Sequence, residues 1–396
     1  MTVVLHRYRV ERLPKHVLDR FARVAVIDTG DPSDIEGYER QLETILALAD
    51  DLAAEFGPPT AVVGGVEHTV YPAAVLRDRF GVPGTCAQVA LRCRDKVAMK
   101  RALRGGAVPV PRFWPTDSST TATELARELA GVRGRLVYKP RGQAGSVGVR
   151  VFDSTADTLD FAATTGFADG TELEEFVDGA VCHLDGVVRD GVVRFLSVSR
   201  YLGTCLAFQT DTAPVGSVTM DDEVTVGRAT TFTESVLAAL HLRDSTFHLE
   251  AFLTPAGEFV FLEIACRFGG AGVPTQLRLA AGFDIVRESV LAGTGEPSEW
   301  TGAPTMTAAA DGAWGMLWVP IPGNASGRVR RIHGLDRCPA SVVYSEIPSI
   351  GAELNPGGFY AAAGKFFLAG PSTASVQADI ERLMSTYVVE TTAEPG

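Results

Sequence analysis

The stretch FHLEAFLTPAGEFVFLEIACRFGG, residues 247–270, carries the pattern on which our interpretation of the chain rests. Its composition predicts two strands around a turn at Pro255-Ala256-Gly257. Each strand carries one carboxylate, Glu250 or Glu263, among apolar neighbours. Two carboxylates on adjacent antiparallel strands repel each other and are costly to bury unless a cation pairs with them. The stretch therefore predicts a magnesium site at Glu250 and Glu263.

Length and composition indicate an ordinary globular protein. The chain has 396 residues, with 46% hydrophobic and 21% charged, which predicts two or three domains. Residues 1–16 carry charges and no continuous apolar run, so a signal peptide is not expected. No stretch approaches the roughly 18 apolar residues of a membrane span. We therefore expect a cytoplasmic protein that does not bind membranes.

The net charge and the cysteine content limit the kinds of ligand and the cellular compartment expected for the chain. The net charge of −12 and the pI near 5.1 argue against a basic face for nucleic acid. An anionic small ligand would need local cations. The six cysteines show neither CxxC pairs nor metal-ligand spacing, which is typical of reduced cytoplasmic thiols.

Residues 1–90 predict an open α/β domain with helices on the faces of a small sheet. The predicted elements are strands at Val24–Asp28 and Thr60–Gly65 and a helix at Tyr38–Phe56. Glu67 and His68 follow the second strand, where open α/β sheets bind ligands. A solvated loop accounts for these two residues equally well.

A glycine-bearing loop is the second informative feature. A basic helix at Arg94–Ala107 precedes it, and strands at Leu136–Lys139 and Val149–Phe152 flank it. Its small residues are Gly142, Gly145, Ser146 and Gly148. Backbone N–H groups in such a loop can point at phosphate oxygens. The Walker pattern GxxxxGK[ST] is absent.

The remaining segments predict further strands and helices. A strand at Glu172–Gly179 is followed by a hairpin that turns at Arg189-Asp190-Gly191. Helices are predicted at residues 222–243 and 283–293. From Trp300 the composition predicts a smaller α+β unit that closes with a helix at Ala374–Met384.

Seven elements occur in the order found in the ATP-grasp superfamily, which the chain resembles over roughly residues 20–390. They are RDK at Arg94–Lys96, VYKP, GQAGSVGV, EEFVDG, FHLE, EIACR and FGG. The greatest resemblance is to carboxylate–amine ligases of the L-amino acid ligase type. It implies an α/β and α+β fold with four units: residues 1–90, an N-terminal open α/β domain; 91–180, a lid subdomain; 181–300, a metal- and phosphate-binding subdomain; and 301–396, a C-terminal α+β subdomain.

The resemblance also implies how ATP is held. Lys96 and Lys139 match the two lysines that contact phosphates, and the glycine loop at Gly145 and Ser146 would cover the β- and γ-phosphates. The adenine segment matches Glu174, Glu175, Phe176 and Val177.

The sequence departs from the family pattern just after this segment. Val181 stands where many members carry a ribose-binding glutamate, so His183 or Asp185 is expected to take that role.

Glu250 and Glu263 match the metal ligands of the family. The metal that the resemblance implies is magnesium, expected as two ions, for which manganese can substitute. Ala265 stands where many members place an additional asparagine ligand, so Glu263 is expected to bind bidentately. Arg267, whose planar charged fork suits phosphoryl oxygens, is the expected catalytic residue together with Glu263. Arg278 and residues 327–334 are weaker candidates for substrate contacts. A solvated helix arginine is the better explanation for Arg278, and a charged strand face explains residues 327–334 equally well.

The implied activity is the ATP-dependent joining of a carboxylate to an amine through an acyl phosphate, releasing ADP and phosphate. The expected partners are small carboxylates and amines, such as amino acids, and the family makes a homodimer a further expectation. Two alternatives remain open at this point: transfer of the acyl group to a carrier-protein thiol, and a non-catalytic nucleotide-binding module.

Overall fold

The computed structural model describes residues 1–31, 34–210, 212–306, 312–355 and 361–393. Within these ranges the strands form sheets of two, four, nine and three strands. No helix among the described residues is long and apolar enough to cross a membrane.

The N-terminal part contains a two-stranded parallel sheet and six helices. Its elements are β1 (Thr2–His6), α1 (Arg7–Val10), α2 (Lys15–Leu18), β2 (Arg23–Ile27), α3 (Ile35–Arg40), α4 (Leu42–Phe56), α5 (Glu67–Phe80) and α6 (Ala87–Arg92). The strand predicted at Val24–Asp28 and the helix predicted at Tyr38–Phe56 are present, the latter as parts of α3 and α4. Strand β1 was not predicted.

The strand predicted at Thr60–Gly65 does not form, and this prediction is wrong. These residues join no sheet ladder among the described strands. The Val62 carbonyl oxygen instead accepts a hydrogen bond of 2.9 Å from Arg77 Nε, on helix α5. The backbone of this segment is therefore hydrogen-bonded by a side chain, whereas a strand would be hydrogen-bonded by the backbone of a neighbouring strand.

The central part is a four-stranded antiparallel sheet with helices packed against it. Its elements are α7 (Lys96–Leu103), β3 (Phe113–Thr116), α8 (Ala122–Glu128), β4 (Leu136–Pro140), β5 (Arg150–Phe152), α9 (Thr155–Thr164) and β6 (Thr171–Glu175), with strand order β3-β6-β4-β5. A buried cluster that includes Leu125, Leu136, Phe152 and Leu173 joins the helices to the sheet. The predicted strands on both sides of the glycine loop are thus β4 and β5.

The nine-stranded sheet contains most of the remaining chain. Elements of residues 180–306 are β7 (Ala180–Arg189), β8 (Val192–Leu202), α10 (Cys205–Thr210), β9 (Val215–Thr219), α11 (Glu223–Leu240), β10 (Ser245–Leu253), β11 (Phe259–Ala265), α12 (Val273–Ala281), α13 (Ile285–Thr294) and β12 (Thr305–Met306). The later elements are β13 (Ala313–Val319), β14 (Gly327–His333), β15 (Val342–Glu346), β16 (Glu353–Leu354), β17 (Gly364–Gly370), α14 (Thr373–Thr386) and β18 (Val388–Ala393).

This sheet has the strand order β11-β10-β7-β8-β9-β13-β17-β15, with β12 beside β8. Strand β9 pairs directly with β13, so the boundary proposed at residue 300 falls within one continuous sheet. Strands β16, β14 and β18 form the separate three-stranded sheet.

The hairpin predicted in residues 247–270 is formed by β10 and β11. One face is apolar: Leu249, Ala251 and Phe261 are fully buried in a core that includes residues of helix α11. Complete burial of a Leu or Phe side chain contributes about 1.5–3 kcal/mol. Alternation along β10 directs Glu250, which lies between Leu249 and Ala251, to the opposite face. Phe261 and Glu263 are two residues apart and would share a face in a regular strand. A register shift after the Glu250–Glu263 pair instead places Glu263 on the face of Glu250.

Candidate active site

Glu250 and Glu263 are direct cross-strand partners in the β10–β11 register, so their side chains lie on one face. Lys96, the first residue of α7, brings a cation to this pair. Its Nζ lies 2.9 Å from Glu263 Oε2 and donates to the Gln143 carbonyl oxygen at 2.6 Å. Lys96 is only 6% exposed, so it is not a solvated helix lysine. Burial opposes ionisation of Glu263, but Lys96 outweighs that effect and lowers the pKa of Glu263 to about 2.

Lys139 lies in a second, fully buried cluster of charges. It forms ion pairs with Glu174 and Glu172 on the adjacent strand β6. Lys100 completes the cluster, with its Nζ 2.5 Å from Glu172 Oε1. Burial opposes ionisation of both glutamates; Lys139 and Lys100 nevertheless lower the pKa of Glu174, whereas burial prevails and raises the pKa of Glu172.

The glycine loop between β4 and β5 adopts backbone conformations that favour glycine. Gly145, Ser146 and Gly148 have φ angles of 64°, 62° and 72°. A Cβ atom on Gly148 would lie 2.9 Å from Pro140 Cγ, so a side chain at this position would disturb the loop. Arg94 fixes the start of the loop by donating to the Gly142 carbonyl oxygen.

The predicted adenine segment, residues 174–177, comprises the last two residues of β6 and the two residues that follow it. The Glu174 side chain enters the lysine cluster, whereas Glu175 forms an ion pair with Arg112. The Phe176 ring lies against a guanidinium, with Arg135 Cζ 3.5 Å from the ring centroid. A contact between this segment and adenine stays a prediction.

Arg267 is held by a residue from the N-terminal part. Its Nε donates to Glu67 Oε2 at 2.5 Å, and its Nη1 donates to the Phe268 carbonyl oxygen at 2.7 Å. Burial opposes ionisation of Glu67, but Arg267 and Arg94 outweigh it and lower the pKa of Glu67. Helix α5 therefore presents a charged carboxylate to the loop that follows β11.

The comparisons with known proteins bear on the fold. No family model matches the chain. An L-arginine-specific L-amino acid ligase of Bacillus subtilis is 25% identical over 224 residues, which is 55% of this chain and about half (53%) of that protein's length. The crystal structure of an L-amino acid ligase from Bacillus licheniformis superposes with a TM-score of 0.70 at 18% identity, covering 94% of this chain and 88% of the other.

A biotin carboxylase from Campylobacter jejuni, solved as a β,γ-ATP complex, has a TM-score of 0.65 at 13% identity, covering 99% of this chain and 86% of the other. The chain has the ATP-grasp fold, which it shares with these structures. The fold predicted from the seven ordered elements is confirmed.

The residues of this site fit a magnesium-bound nucleotide. Glu250 and Glu263 supply carboxylate oxygens, the ligands that Mg²⁺ prefers. Lys96 lies beside Glu263, and Arg267 follows the end of β11 by two residues, so both are candidate cations for phosphate groups. Among the described residues, the buried Arg94 Nη2 has no hydrogen-bond partner, and a Cβ on Gly142 in the glycine loop would lie 3.5 Å from it. An anion at this position would satisfy that donor.

The structure corrects the role predicted for His183. Its Nδ1 bonds to Asp185 Oδ2 at 2.6 Å and its Nε2 to Ser217 Oγ at 2.5 Å. With both ring nitrogens engaged and the residue 2% exposed, His183 has no group left for a ribose. Asp185, the alternative, is 1% exposed and also bonds to His248. Both residues belong to the interior of the ATP-grasp fold.

The two weaker candidates for substrate contacts occupy solvated or separate positions. The Arg278 side chain is 58% exposed and lies 3.8 Å from Asp284. Residues 327–333 form β14 of the three-stranded sheet, where Arg328 and His333 form ion pairs with Glu353 and Glu390. The structure thus favours the charged-surface explanation for both.

Three polar residues beside the site were not predicted, although the sequence contained a signal for two of them. Lys100 follows Lys96 by four residues, the spacing that places two side chains on one helix face. His248 precedes Glu250 by two residues, which places both on one face of a strand. Tyr201, which donates to Glu250 Oε1 at 3.0 Å, reaches the site only through the pairing of β8 with β7.

Proposed function

We propose that this protein is an ATP-dependent carboxylate–amine ligase that joins two amino acids. The observation that carries the proposal is the register of Glu250 with Glu263, together with the ion pair that Lys96 forms with Glu263. Two carboxylates suit a divalent metal, and the metal and nearby cations suit the phosphates of a metal-bound polyphosphate.

In the first step, an oxygen of the substrate carboxylate attacks the γ-phosphorus of ATP, and the bond from that phosphorus to the ADP oxygen breaks. The products are an acyl phosphate and ADP. Lys139 and Lys96 would orient the phosphates, and Arg267 would contact the transferred phosphoryl group. Magnesium bound by Glu250 and Glu263 would neutralise phosphate charge. Positioning and charge neutralisation account for most of the catalysis of such transfers.

In the second step, the neutral amine of the second amino acid attacks the carbonyl carbon of the acyl phosphate. The C–O bond to phosphate breaks, phosphate leaves, and the nitrogen loses a proton as the amide forms. The charges on Arg267 and Lys96 would stabilise the leaving phosphate. The activation is necessary because an unmodified carboxylate would have to expel oxide.

The substrate class is supported by the comparisons. The relative from Bacillus subtilis and the structure from Bacillus licheniformis are both L-amino acid ligases by name. Amino acids as both substrates follow from that similarity and not from a contact in the structure. The specificity of either relative is not transferred to this chain.

The test is a coupled assay of phosphate release over a matrix of amino-acid pairs, with mass spectrometry of the products. We expect ATP turnover that requires both amino acids, a dipeptide of the summed mass minus water, and loss of turnover in Glu263→Ala. Binding of ATP without turnover dependent on an amine would contradict the proposal. Hydroxylamine trapping of an acyl phosphate without dipeptide would instead favour another acceptor, such as a carrier-protein thiol.

A further inference from the structure

Asp185 bonds to two histidines next to the carboxylate pair. His183 Nδ1 lies 2.6 Å from Asp185 Oδ2, and His248 Nδ1 lies 2.8 Å from Asp185 Oδ1. The three residues are at most 13% exposed at their side chains. Strand register explains their proximity, because His248 lies opposite Asp185 and Glu250 lies opposite His183 in the β10–β7 pair.

The hydrogen-bonded network extends in both directions from this centre. On one side His183 Nε2 bonds to Ser217 Oγ on β9 at 2.5 Å. On the other, His248 Nε2 lies 3.3 Å from Glu250 Oε1, the same oxygen that accepts from Tyr201. The network therefore runs from Ser217 to Glu250 through residues of β9, β7 and β10.

The loop that carries Arg267 closes over this network. A Cβ atom on Gly269 would lie 2.4 Å from Asp185 Oδ1 and 2.9 Å from His248 Nδ1. Only a residue without a side chain fits there. The two Nδ1 atoms face the Asp185 oxygens at hydrogen-bond distances, so shared protons occupy the space that a metal ion at this cluster would need.

The position of the Glu250 carboxylate is determined by hydrogen-bonding side chains as well as by the strand register. Ala265, the residue directly across from His248 in the β10–β11 pair, brings no polar atom. Glu250 is thus held by His248 and Tyr201, whereas Glu263 is held by Lys96. The two carboxylates have independent supports.

We propose that Ser217, His183, Asp185 and His248 are positioning residues that fix the carboxylate of Glu250 for a divalent cation. The inference rests on the proposed function only in taking Glu250 as a metal ligand. Groups that hydrogen-bond to a metal ligand orient it, and their loss typically lowers metal affinity by roughly 10- to 100-fold.

The test measures cation binding without turnover. Free Mn²⁺ is titrated by electron paramagnetic resonance in the presence of ADP, with the full-length protein and its variants. We expect His248→Leu to weaken Mn²⁺ binding by roughly 10- to 100-fold, and His248→Gln, which keeps a donor, to recover most of the affinity. His241→Asn, at an exposed helix end, is the matched control and should bind Mn²⁺ like the unaltered protein.

Because removal of a buried residue can unfold a protein, Ser217→Ala provides a milder change at the far end of the network. We expect a smaller loss of Mn²⁺ affinity and an unfolding transition close to that of the unaltered protein. Equal affinities for His248→Leu and the unaltered protein would overturn the proposal, as would equal losses for His248→Leu and His248→Gln. Loss of an additional bound ion in Asp185→Asn would show that the cluster is itself a metal site.

Failure of this proposal is distinguishable from failure of the proposed function. If the protein binds Mn²⁺ and ADP through Glu250 but joins no amino acids, the proposed function is wrong and the positioning role of the network still holds. If the protein joins amino acids but His248→Leu leaves its Mn²⁺ affinity unchanged, the proposed function holds and the positioning role is wrong.

Discussion

Glu67 and Arg267 are 200 residues apart in the sequence and form an ion pair next to the end of strand β11, with 2.5 Å between Arg267 Nε and Glu67 Oε2. Their side chains are 19% and 14% exposed. The pair connects the first residue of α5 to the loop after β11. The orientation of the proposed catalytic arginine therefore depends on a part of the chain that carries none of the seven family elements.

The first prediction concerns this pair. Removal of the Arg267 guanidinium in Arg267→Ala should lower kcat by roughly 10²- to 10³-fold, because a charge directed at the developing phosphoryl charge is lost. Glu67→Gln removes a charged hydrogen bond worth about 1.5–3 kcal/mol and should lower kcat by about 10-fold or more. Steady-state kinetics with ATP as the varied substrate measures both effects.

The matched control for Glu67→Gln is Glu43→Gln, an exposed glutamate on α4. It should leave kcat and KM unchanged. An Arg267→Ala variant that is inactive beside a fully active Glu67→Gln variant would show that Glu67 does not orient the arginine.

The second prediction concerns the cation. Glu250→Gln and Glu263→Gln each remove one anionic oxygen ligand and should raise the Mg²⁺ concentration needed for half-maximal turnover, since Mg²⁺ binds carboxylates in preference to amides. Glu258→Gln, on the exposed turn of the same hairpin, is the control. Turnover with an unaltered Mg²⁺ requirement in Glu263→Gln would refute the assignment of Glu263 as a ligand.

The third prediction concerns the buried charges around Lys100, which is 0% exposed. Lys100→Ala leaves the carboxylates of Glu172 and Glu174 with one fewer cation in a dry environment. Loss of one partner from a buried ion pair costs about 3–5 kcal/mol, so the free energy of unfolding in urea should fall by about that amount. The double variant Lys100→Met with Glu172→Gln should regain part of the loss.

Lys15→Ala is the control for Lys100→Ala, because Lys15 is exposed on α2. Exposed substitutions usually change stability by less than about 0.5 kcal/mol. A stability of Lys100→Ala equal to that of the control would mean that solvent or rearranged side chains compensate the two carboxylates.

The fourth prediction concerns pH. Burial, reinforced by Arg9, lowers the pKa of His68 from 6.5 to about 4, and the His68 ring lies against Tyr38 with centroids 4.3 Å apart. In the unfolded chain His68 takes up its proton near pH 6.5, so this contribution to stability is intact above that pH. It is lost progressively as pH falls towards 4. At about 1.4 kcal/mol per pKa unit, the loss is about 3 kcal/mol.

Urea unfolding of the unaltered protein and of His68→Gln between pH 4 and 8 tests this. The difference in unfolding free energy between the two should change over pH 4–6.5 and stay constant above pH 7. His16→Gln, at an exposed position, should parallel the unaltered protein at every pH. A constant difference for His68→Gln across the whole range would show that His68 titrates normally in the folded state.

Local patterns were sufficient to predict the β10–β11 hairpin. Apolar residues and the Pro255-Ala256-Gly257 turn define β10 and β11 without reference to the rest of the chain. The register shift that brings Glu263 to the face of Glu250 was not evident from the sequence, because strict alternation would place Glu263 on the face of Phe261. The glycine loop, by contrast, was predictable, because positive φ angles at Gly145 and Gly148 are a local property of glycine.

The role of His183 was not predictable from its neighbours in sequence. Its position two residues after Val181 suggested a nucleotide contact, but its partner Ser217 comes from strand β9, which the sequence pattern did not reveal. The error at Thr60–Gly65 has a similar origin, because the apolar run is typical of a strand and only packing against Arg77 decided otherwise.

The sequence by itself determined the elements of the site, since strand alternation, turn residues and the order of seven motifs act over short ranges. The tertiary structure decided which charges meet: Glu67 with Arg267, Lys100 with Glu172, and Asp185 with two histidines. The physical reason is that a buried charge requires a partner, and the partner is selected by the packing of sheets and helices whose residues are distant in the chain.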